Sequence, residues 1–337
     1  MTSAASNDAH SDLLARLGIS RFEIPTPFAD VTTVNLYVVA DEGGGAALVD
    51  TGADDPVSDS ARRQALASVG LGVSDLRRII VTHGHADHYG AAQSLAETRP
   101  DRPLPVLGHT GDFDEGEPSG SRCTDHDDHF RALLARHGTP RDLIERFIEV
   151  TIRSNHVVRP IAHLTPLREG DVLRFRHFEA KVLHLPGHTR GLICLHDEDN
   201  GLLFANDHLL KGITPYLRKD PGPAFEPLVT YAESMLRTRA LDVRLVLPGH
   251  GVPFEGHREA IDRLFARFAD RQRRILTVLE RGPATAFAVS DALSPATFAV
   301  KVRDVVCMTV AHLEALERRG LVAREAANGV ERFRLMR

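Results

Sequence analysis

Residues 82–90 read Thr82-His83-Gly84-His85-Ala86-Asp87-His88-Tyr89-Gly90 and place three imidazoles and a carboxylate within six residues. An apolar run at 78–81 precedes them and predicts a short buried strand, and a helical pattern continues over 91–98. Imidazole nitrogen and carboxylate oxygen are ligands of zinc and its first-row neighbours. Because four ligands from one loop exceed what a single tetrahedral ion takes, the spacing predicts two metal ions. The alternative is a solvated histidine loop in which Asp87 caps a helix.

Two later segments of the chain contain a further histidine each, in the same Pro-Gly-His motif. Leu185-Pro186-Gly187-His188-Thr189 and Leu247-Pro248-Gly249-His250-Gly251 both end an apolar run in Pro-Gly-His. One such motif is typical of an ordinary turn, but two of them beside the first cluster indicate further ligands. Between them, Phe204-Ala205-Asn206-Asp207-His208 ends another predicted strand in a carboxylate, which taken alone would indicate a helix cap. The C-terminal ends of strands are where α/β folds usually keep their chemistry.

With these elements in this order, the chain resembles the metallo-β-lactamase superfamily. The resemblance rests on the His-x-His-x-Asp-His pattern at 83–88 followed by the distant His, Asp and His, and it spans roughly residues 35–251. It implies an α/β fold, the four-layer αβ/βα sandwich, with the site at one edge between two sheets. Carried over position by position, it implies a first metal on His83, His85 and His188, a second on Asp87, His88 and His250, and Asp207 as the bridge. Zinc is the favoured ion, and manganese or iron would also fit.

Further roles are expected for residues in and beside the ligand set, the first of them from the same resemblance. Asp50 matches the family's aspartate after a strand and is expected to orient a ligand imidazole, the alternative being a plain turn residue. Asp207 and Asp87 are expected to act in catalysis by collecting the proton that goes to the leaving group. His208 and Tyr216 are candidates for substrate contact, although His208 also fits a core or surface histidine.

The chain divides into three stretches. We expect a polar N-terminal tail at residues 1–20, a metallo-β-lactamase catalytic domain at 21–256 and a winged-helix domain at 257–337. Residues 109–165 depart from the strand–helix rhythm with an acidic loop and then a helical pattern, which predicts a helical cap over the site. After Gly256, three helical segments precede a hairpin at Asn328-Gly329, the order of elements in a winged helix.

The C-terminal stretch has a resemblance of its own. From Arg274-Ile275-Leu276 to Gly282-Pro283-Ala284-Thr285 it is similar to β-lactamase-like protein 2 and its bacterial relatives, a group described as endoribonucleases, with thioesterases nearby. Residues 258–337 carry 15 Lys and Arg against 10 Asp and Glu, a net charge of +5. This excess is modest for a nucleic-acid reader, so packing against the catalytic domain or a dimer partner is favoured. The third helical segment carries Lys301, Arg303, Arg318 and Arg319.

Composition restricts the class of protein. With 337 residues, 42% hydrophobic and 26% charged, the chain has an ordinary globular composition, and its net charge of −5 argues against bulk nucleic-acid binding. The scattered cysteines, Cys123, Cys194 and Cys307, are expected to be reduced thiols. The N-terminus lacks a secretory signal, and no apolar run approaches the ~20 residues of a membrane helix. We therefore expect a cytoplasmic protein without a membrane partner, and a homodimer is one option.

Three functions stay open. The first is a hydrolase that cleaves a carboxylic ester, thioester or lactone of a small acyl substrate with a metal-activated hydroxide. The resemblance argues against antibiotic hydrolysis, because true β-lactamases of the family have cysteine at the position of Asp207 or lack the bridging carboxylate, whereas glyoxalase II-type thioesterases, lactonases and phosphodiesterases keep it. The insertion at 109–165 suggests an enclosed small-molecule pocket and so favours the first function. The second is a phosphodiesterase or endoribonuclease using the same site. The third is a metal-holding regulator whose winged helix gives the output.

Overall fold

A six-stranded sheet forms one half of the central sandwich. The computed structural model describes residues 10–29, 31–99, 101–113, 122–154, 158–218, 225–294 and 301–336. The strands of this sheet lie in chain order: β1 (Ile19–Pro25), β2 (Thr33–Ala40), β3 (Ala46–Val49), β4 (Leu76–Ile80), β5 (Val106–Gly108) and β6 (Leu164–Pro166). The first three pair antiparallel and β3 to β6 pair parallel. The C-terminal ends of β3, β4 and β5 therefore lie at the same edge.

A five-stranded sheet forms the other half. Its order is β11-β10-β9-β8-β7, and β10 and β11 are its parallel pair. Because β10 and β11 run the same way, their C-terminal ends also lie together. The strands are β7 (Val172–Arg174), β8 (Glu179–His184), β9 (Ile193–Asp197), β10 (Leu202–Asn206) and β11 (Leu245–Pro248).

Alternation of side chains along the strands explains why both sheets are buried on two faces. In β10, Leu202 and Phe204 pack between the sheets, whereas Leu203 and Ala205 pack outward under helices. Successive side chains of a strand point to opposite faces, so a strand that is apolar throughout needs cover on both sides. Strand β2 is buried in the same two-sided way over residues 34–39.

Helices supply that cover. On the first sheet lie α2 (Pro56–Ser68), the 3₁₀ turn Val73–Asp75, α3 (Ala86–Tyr89) and α4 (Ala92–Ala96). On the second lie α7 (Pro227–Arg239) and the first half of α8 (His257–Leu279). This order of helix, sheet, sheet and helix confirms the predicted four-layer α/β sandwich. None of the helices within the described ranges has the length and apolarity needed to span a membrane.

The predicted N-terminal tail is shorter than residues 1–20. Residues 10–16 form a helix, α1, and β1 follows from Ile19. Leu13, Leu14 and Leu17 are buried in the core between the sheets. The polar composition gave no sign of this packing, because only Leu13 and Leu14 of the helix and Leu17 just after it anchor the segment. The first nine residues lie outside the described part.

The predicted cap carries helices, but they pack on the C-terminal region. Residues 109–165 contain α5 (Arg122–Arg136) and α6 (Arg141–Ser154). Their apolar side chains share one core with the second half of α8, with α9 (Ala286–Leu293) and α10 (Val302–Arg318), and with the terminal hairpin. The backbone N–H of Phe287 also donates to the carbonyl oxygen of His137 at 3.1 Å. The insertion and the C-terminal region, residues 257–336, are therefore one packing unit, and both α8 and α10 also pack on the second sheet of the sandwich.

The C-terminal region has the predicted order of elements. After α8 come α9 (Ala286–Leu293), α10 (Val302–Arg318) and the antiparallel strands β12 (Val322–Ala327) and β13 (Val330–Leu335). Asn328 and Gly329 have φ values of 52° and 77°, so the expected turn chemistry is present. Three helices and a hairpin are thus in place, and their assignment as a winged helix stays a prediction.

Candidate metal centre

Four strand ends bring the predicted ligands together from both sheets. His83, His85, Asp87 and His88 follow β4 on a loop and on the short helix α3. The other three come from the second sheet, where they follow β8, β10 and β11. These three are His188, Asp207 and His250.

One group of donor atoms gathers around His85. Its Nδ1 lies 3.1 Å from Nε2 of His83 and 2.9 Å from Nε2 of His188. Nε2 of His188 lies 3.5 Å from Oδ2 of Asp207. All the donor atoms of this group lie within 4.8 Å of one another. The group is the predicted first set together with the predicted bridge.

The second group lies on the other side of Asp207. Nε2 of His88 lies 3.3 Å from Nε2 of His250, and Oδ2 of Asp87 lies 3.4 Å from Nε2 of His250. Oδ1 of Asp207 is 3.4 Å from Nε2 of both His88 and His250. The two carboxylate oxygens of Asp207 therefore face different groups.

This donor set fits a pair of first-row metal ions. It consists of imidazole nitrogens and carboxylate oxygens, which such ions prefer. Oδ1 of Asp207 is buried and accepts no hydrogen bond from the described residues, as is expected of an oxygen that faces a cation. The two groups could therefore hold one ion each, with Asp207 between them.

The other nitrogen of several imidazoles is held by an oxygen. Nδ1 of His250 donates to the carbonyl oxygen of Thr33 at 2.7 Å, and Nδ1 of His188 donates to that of Tyr216 at 3.0 Å. Because a carbonyl can only accept, these contacts put the proton on Nδ1 and leave the lone pair of Nε2 facing the site. The tautomers of both rings are thus fixed by the fold.

Asp50 has the position that the sequence suggested. Its Oδ2 lies 2.7 Å from Nδ1 of His88, and it accepts hydrogen bonds from both the backbone N–H and the hydroxyl of Thr82. Asp50 itself has φ 59°, in the left-handed region. The strand β3 thus connects directly with a candidate ligand on the loop after β4.

Glycine is required in both Pro-Gly-His turns. A side chain at Gly249 would collide with Oδ1 of Asp207 and with the ring of His88. Gly187 has φ 141° and lies against the backbone of Tyr231, so a Cβ would be strained and would collide as well. The motif therefore brings backbone close to the site in one case and to a helix in the other.

The carboxylates of the site favour bound positive charge. Burial lowers the pKa of His188 to about 4. Burial opposes ionisation of Asp207, but His250 and His88 outweigh it and hold the pKa of this carboxyl well below its usual range. Burial also lowers the pKa of His250, yet Asp207 and Asp87 raise it to about 10. The carboxylates thus attract positive charge as protons, and metal binding releases such protons.

His208 lies in the core, which agrees with the second of the two interpretations of this residue. It is fully buried, and its Nε2 lies 2.7 Å from the hydroxyl oxygen of Thr238. Burial lowers its pKa to about 3, so the ring is neutral. Tyr216 touches the site through its backbone oxygen, and a role of its hydroxyl stays a prediction. Cys194 and Cys307 are both buried, and burial raises the pKa of the Cys194 thiol, so neither resembles a nucleophile.

Sequence reasoning missed Asp112. Its Oδ2 accepts hydrogen bonds from the backbone N–H of Gly84 at 2.9 Å and from the hydroxyl of Thr189, and its Oδ1 accepts from the N–H of Gly191 at 2.7 Å. Gly84 separates two ligands, and Thr189 follows a third. One carboxylate thus joins two ligand loops, and no local pattern around residue 112 signals it.

Comparison with known proteins decides the family. The family described as Metallo-beta-lactamase superfamily matches residues 29–250. The chain belongs to the metallo-β-lactamase superfamily. It is 32% identical over 302 residues to "Probable metallo-hydrolase YqjP" of Bacillus subtilis (strain 168), covering 87% of this chain and 90% of that protein. It is therefore a hydrolase of this superfamily.

One solved structure is similar to nearly the whole chain, and one named enzyme is similar to a part of it. The crystal structure of metallo-beta-lactamase family protein TTHA1429 from Thermus thermophilus matches with a TM-score of 0.81 and 28% identity, covering 95% of this chain and 99% of that one. The human protein "Acyl-coenzyme A thioesterase MBLAC2" is 37% identical over 97 residues, which are 27% of this chain and 33% of that protein. The first likeness includes the insertion and the C-terminal region, and the second covers a limited stretch.

Proposed function

We propose that this protein is a dinuclear metal-dependent thioesterase whose substrate is an acyl-coenzyme A. The observation that carries the proposal is the position of Asp207, whose two carboxylate oxygens face two separate groups of donors. In this proposal His83, His85 and His188 would hold the first ion, Asp87, His88 and His250 would hold the second, and Asp207 would contribute one carboxylate oxygen to each. Zinc is the proposed ion.

Bound ions of this kind supply a water of lowered pKa, about 7, and positive charge beside the substrate carbonyl oxygen. The chain's own part is to position the ligands and to move a proton. Asp87 and Asp207 are the proposed acceptors, and the proton then goes to the departing thiol. The carbonyls of Thr33 and Tyr216 hold the ligand rings in one tautomer. No side-chain nucleophile is involved.

The choice of a thioester draws on two supports. The MBLAC2 proteins carry the name acyl-coenzyme A thioesterase and share a stretch of sequence with this chain. A bridging carboxylate at Asp207 also sets the site apart from the antibiotic-hydrolysing members. Oxygen esters and lactones contain the same electrophilic carbonyl and are expected to react more slowly.

The test compares three substrates on zinc-loaded protein: hexanoyl-CoA, an aliphatic lactone and bis(4-nitrophenyl) phosphate. We expect the highest kcat/KM for the thioester. Asp207→Asn should lose bound zinc and nearly all of the activity. Asp262→Asn is the matched control, since this exposed aspartate pairs with Arg239 far from the site.

Each outcome distinguishes one part of the proposal. A preference for the phosphodiester would replace the thioesterase with a phosphodiesterase at the same site. Full zinc content and activity in Asp207→Asn would refute the bridging role. Zinc content is measured independently of turnover, so a wrong substrate cannot hide a correct metal assignment.

A further inference from the structure

The third helix of the C-terminal region, α10, is buried along most of its length. All residues from 304 to 313 are buried. One side of the helix belongs to the core shared with the insertion, whereas Met308 and Ala311 belong to the core between the second sheet and its helices. A helix that reads DNA has to offer a face to the major groove. Residues 304–313 offer no such face, so the C-terminal region calls for a role other than reading nucleic acid.

The start of α10 lies beside a segment that contacts a candidate metal ligand. This segment, residues 214–218, follows Asp207 and β10 in the chain. The carbonyl oxygen of Tyr216 accepts a hydrogen bond from Nδ1 of His188 at 3.0 Å. Because this contact fixes the tautomer and the direction of the His188 ring, the groups that hold residues 214–218 in place also act on the ligand.

Two side chains of the C-terminal region hold the segment at its ends. Nε of Arg267, in α8, donates to the hydroxyl of Thr214 at 3.0 Å. Oδ1 of Asp304, in α10, lies 3.3 Å from Nε of Arg218. In the chain, the carbonyl of Tyr216 lies between these two attachment points. The C-terminal region therefore holds the segment on both sides of the group that contacts the ligand.

The middle of the segment is covered by α10 as well. Nζ of Lys301 lies 5.4 Å from the ring centroid of Tyr216, a distance that suits a cation–π contact. Leu217 is fully buried in the cluster that also contains Met308 and Ala311. Polar and apolar contacts thus agree in placing residues 214–218 against the C-terminal region.

Asp304 is itself fixed in position and ionised. Its Oδ1 also lies 2.9 Å from Nε of Arg303. The guanidinium of Arg303 lies over a phenylalanine ring of α5 and another of α6, at 5.4 and 4.7 Å. Burial opposes ionisation of Asp304, but Arg303 and Arg218 outweigh it and lower the pKa of this carboxyl. A chain of contacts therefore runs from the insertion through α10 to the segment beside His188.

We propose that the C-terminal region is part of the metal centre, with Asp304 as a positioning residue for the first group of ligands. Asp304 holds Arg218 and with it the segment that carries the Tyr216 carbonyl. This carbonyl in turn keeps Nε2 of His188 directed at the site. The inference rests on the metal assignment in the proposed function and is independent of the choice of a thioester. It gives residues 257–336 a role in hydrolysis that needs no nucleic acid.

The experiment compares Asp304→Asn, Arg218→Gln and the double variant with wild-type protein, all as full chains. Competition with a chromophoric chelator measures the affinity for zinc. Each single variant should weaken zinc binding at the group that contains His188 on the order of tenfold, the lower end of the cost of losing support behind a ligand imidazole. The double variant should lose no more than the weaker-binding single variant, because both changes break the same contact.

A second measurement separates positioning from stability. The visible absorption of the cobalt-substituted protein depends on how the ligands are arranged around the ion, so it should change in Asp304→Asn. A loss of fold stability alone would not change it. Glu317→Gln is the matched control, because it removes a carboxylate of the same helix that pairs with Arg324 of the terminal hairpin at 2.8 Å. This control should keep the zinc affinity and the cobalt spectrum of the wild-type protein.

A lower unfolding temperature of Asp304→Asn with unchanged zinc affinity and cobalt spectrum would overturn the inference, since Asp304 would then support the fold alone. Losses of affinity that add in the double variant would overturn it too, because the two residues would then act separately. Undiminished zinc in Asp207→Asn would refute the metal assignment and this inference with it. Zinc binding that depends on Asp304, without hydrolysis of any acyl-CoA, would keep the inference and refute the thioesterase.

Discussion

Oδ2 of Asp50 lies 2.7 Å from Nδ1 of His88, and both side chains are fully buried. The same carboxylate accepts two hydrogen bonds from Thr82, the residue just before the first candidate ligand. The end of β3 therefore orients one imidazole and fixes the start of the ligand loop at once. Contacts of this kind set both the direction of a ligand ring and its basicity.

We predict that Asp50→Asn weakens zinc binding about 10- to 100-fold, the usual cost of losing a carboxylate behind a ligand imidazole. The amide is nearly isosteric but lacks the negative charge that supports His88. Competition with a chromophoric chelator measures the affinity. Asp197→Asn is the control, since this buried carboxylate binds Asn200 in a turn away from the site. Wild-type affinity in Asp50→Asn would show that His88 needs no such support.

Asp112→Asn should weaken zinc binding at the group that contains His85 and His188. Asparagine has one carbonyl oxygen in place of two carboxylate oxygens, so at least one of the N–H groups of Gly84 and Gly191 would face an amide N–H. We expect the zinc affinity of this group to fall on the order of tenfold. The variant should therefore hold fewer zinc ions per chain than the wild-type protein at the same concentration of free zinc.

The control for this variant is Asp75→Asn, a carboxylate that also accepts a backbone N–H, from Gly72, in a loop away from the site. Zinc titration and thermal unfolding of the metal-free protein are measured together. A lower unfolding temperature with unchanged zinc affinity would mean that Asp112 holds the fold only.

Burial of His312 is expected to make the folded protein less stable in acid. Burial lowers its pKa to about 3 in the folded protein from 6.5, and neither ring nitrogen has a hydrogen-bond partner within the described ranges. The folded state thus disfavours the protonated ring, so its contribution to stability is complete above pH 6.5 and falls as the pH drops toward 3. His312→Leu removes this titration. As the pH falls from 7 to 4.5, the unfolding temperature of His312→Leu should rise relative to that of the wild-type protein. A difference between the two proteins that does not change over this range would contradict the assignment.

Ligand loops were predictable because their signals are local. A strand that ends in His-x-His-x-Asp-His or in Pro-Gly-His carries its own turn chemistry, and the turn fixes where the side chains point. Asp50 could be suggested for the same reason. For His208 the sequence left two interpretations open, because a histidine beside Asp207 fits either a substrate contact or the core. It lies in the core under α7.

The role of Asp112 could not be predicted, since it depends on contacts between distant segments. Asp112 joins loops that are 28 and 77 residues away in the chain. Helical periodicity likewise indicated apolar faces in α5 and α6 but gave no information about their partner. A lid over the site and a packing layer on the C-terminal region have the same amphipathic pattern.

The shared core of the insertion and the C-terminal region can be tested through Leu134. This α5 side chain is fully buried in the cluster that also contains Val310 of α10. Leu134→Ala should cost about 2–5 kcal/mol of unfolding free energy through the cavity it leaves. Hydrogen exchange should then quicken in α9 and α10 as well as in α5 and α6, because all four lose the same support. Leu66→Ala, in α2 on the first sheet, is the control and should leave these helices protected. If Leu134→Ala loosened only α5 and α6, the insertion would be a separate cap that merely touches the C-terminal region.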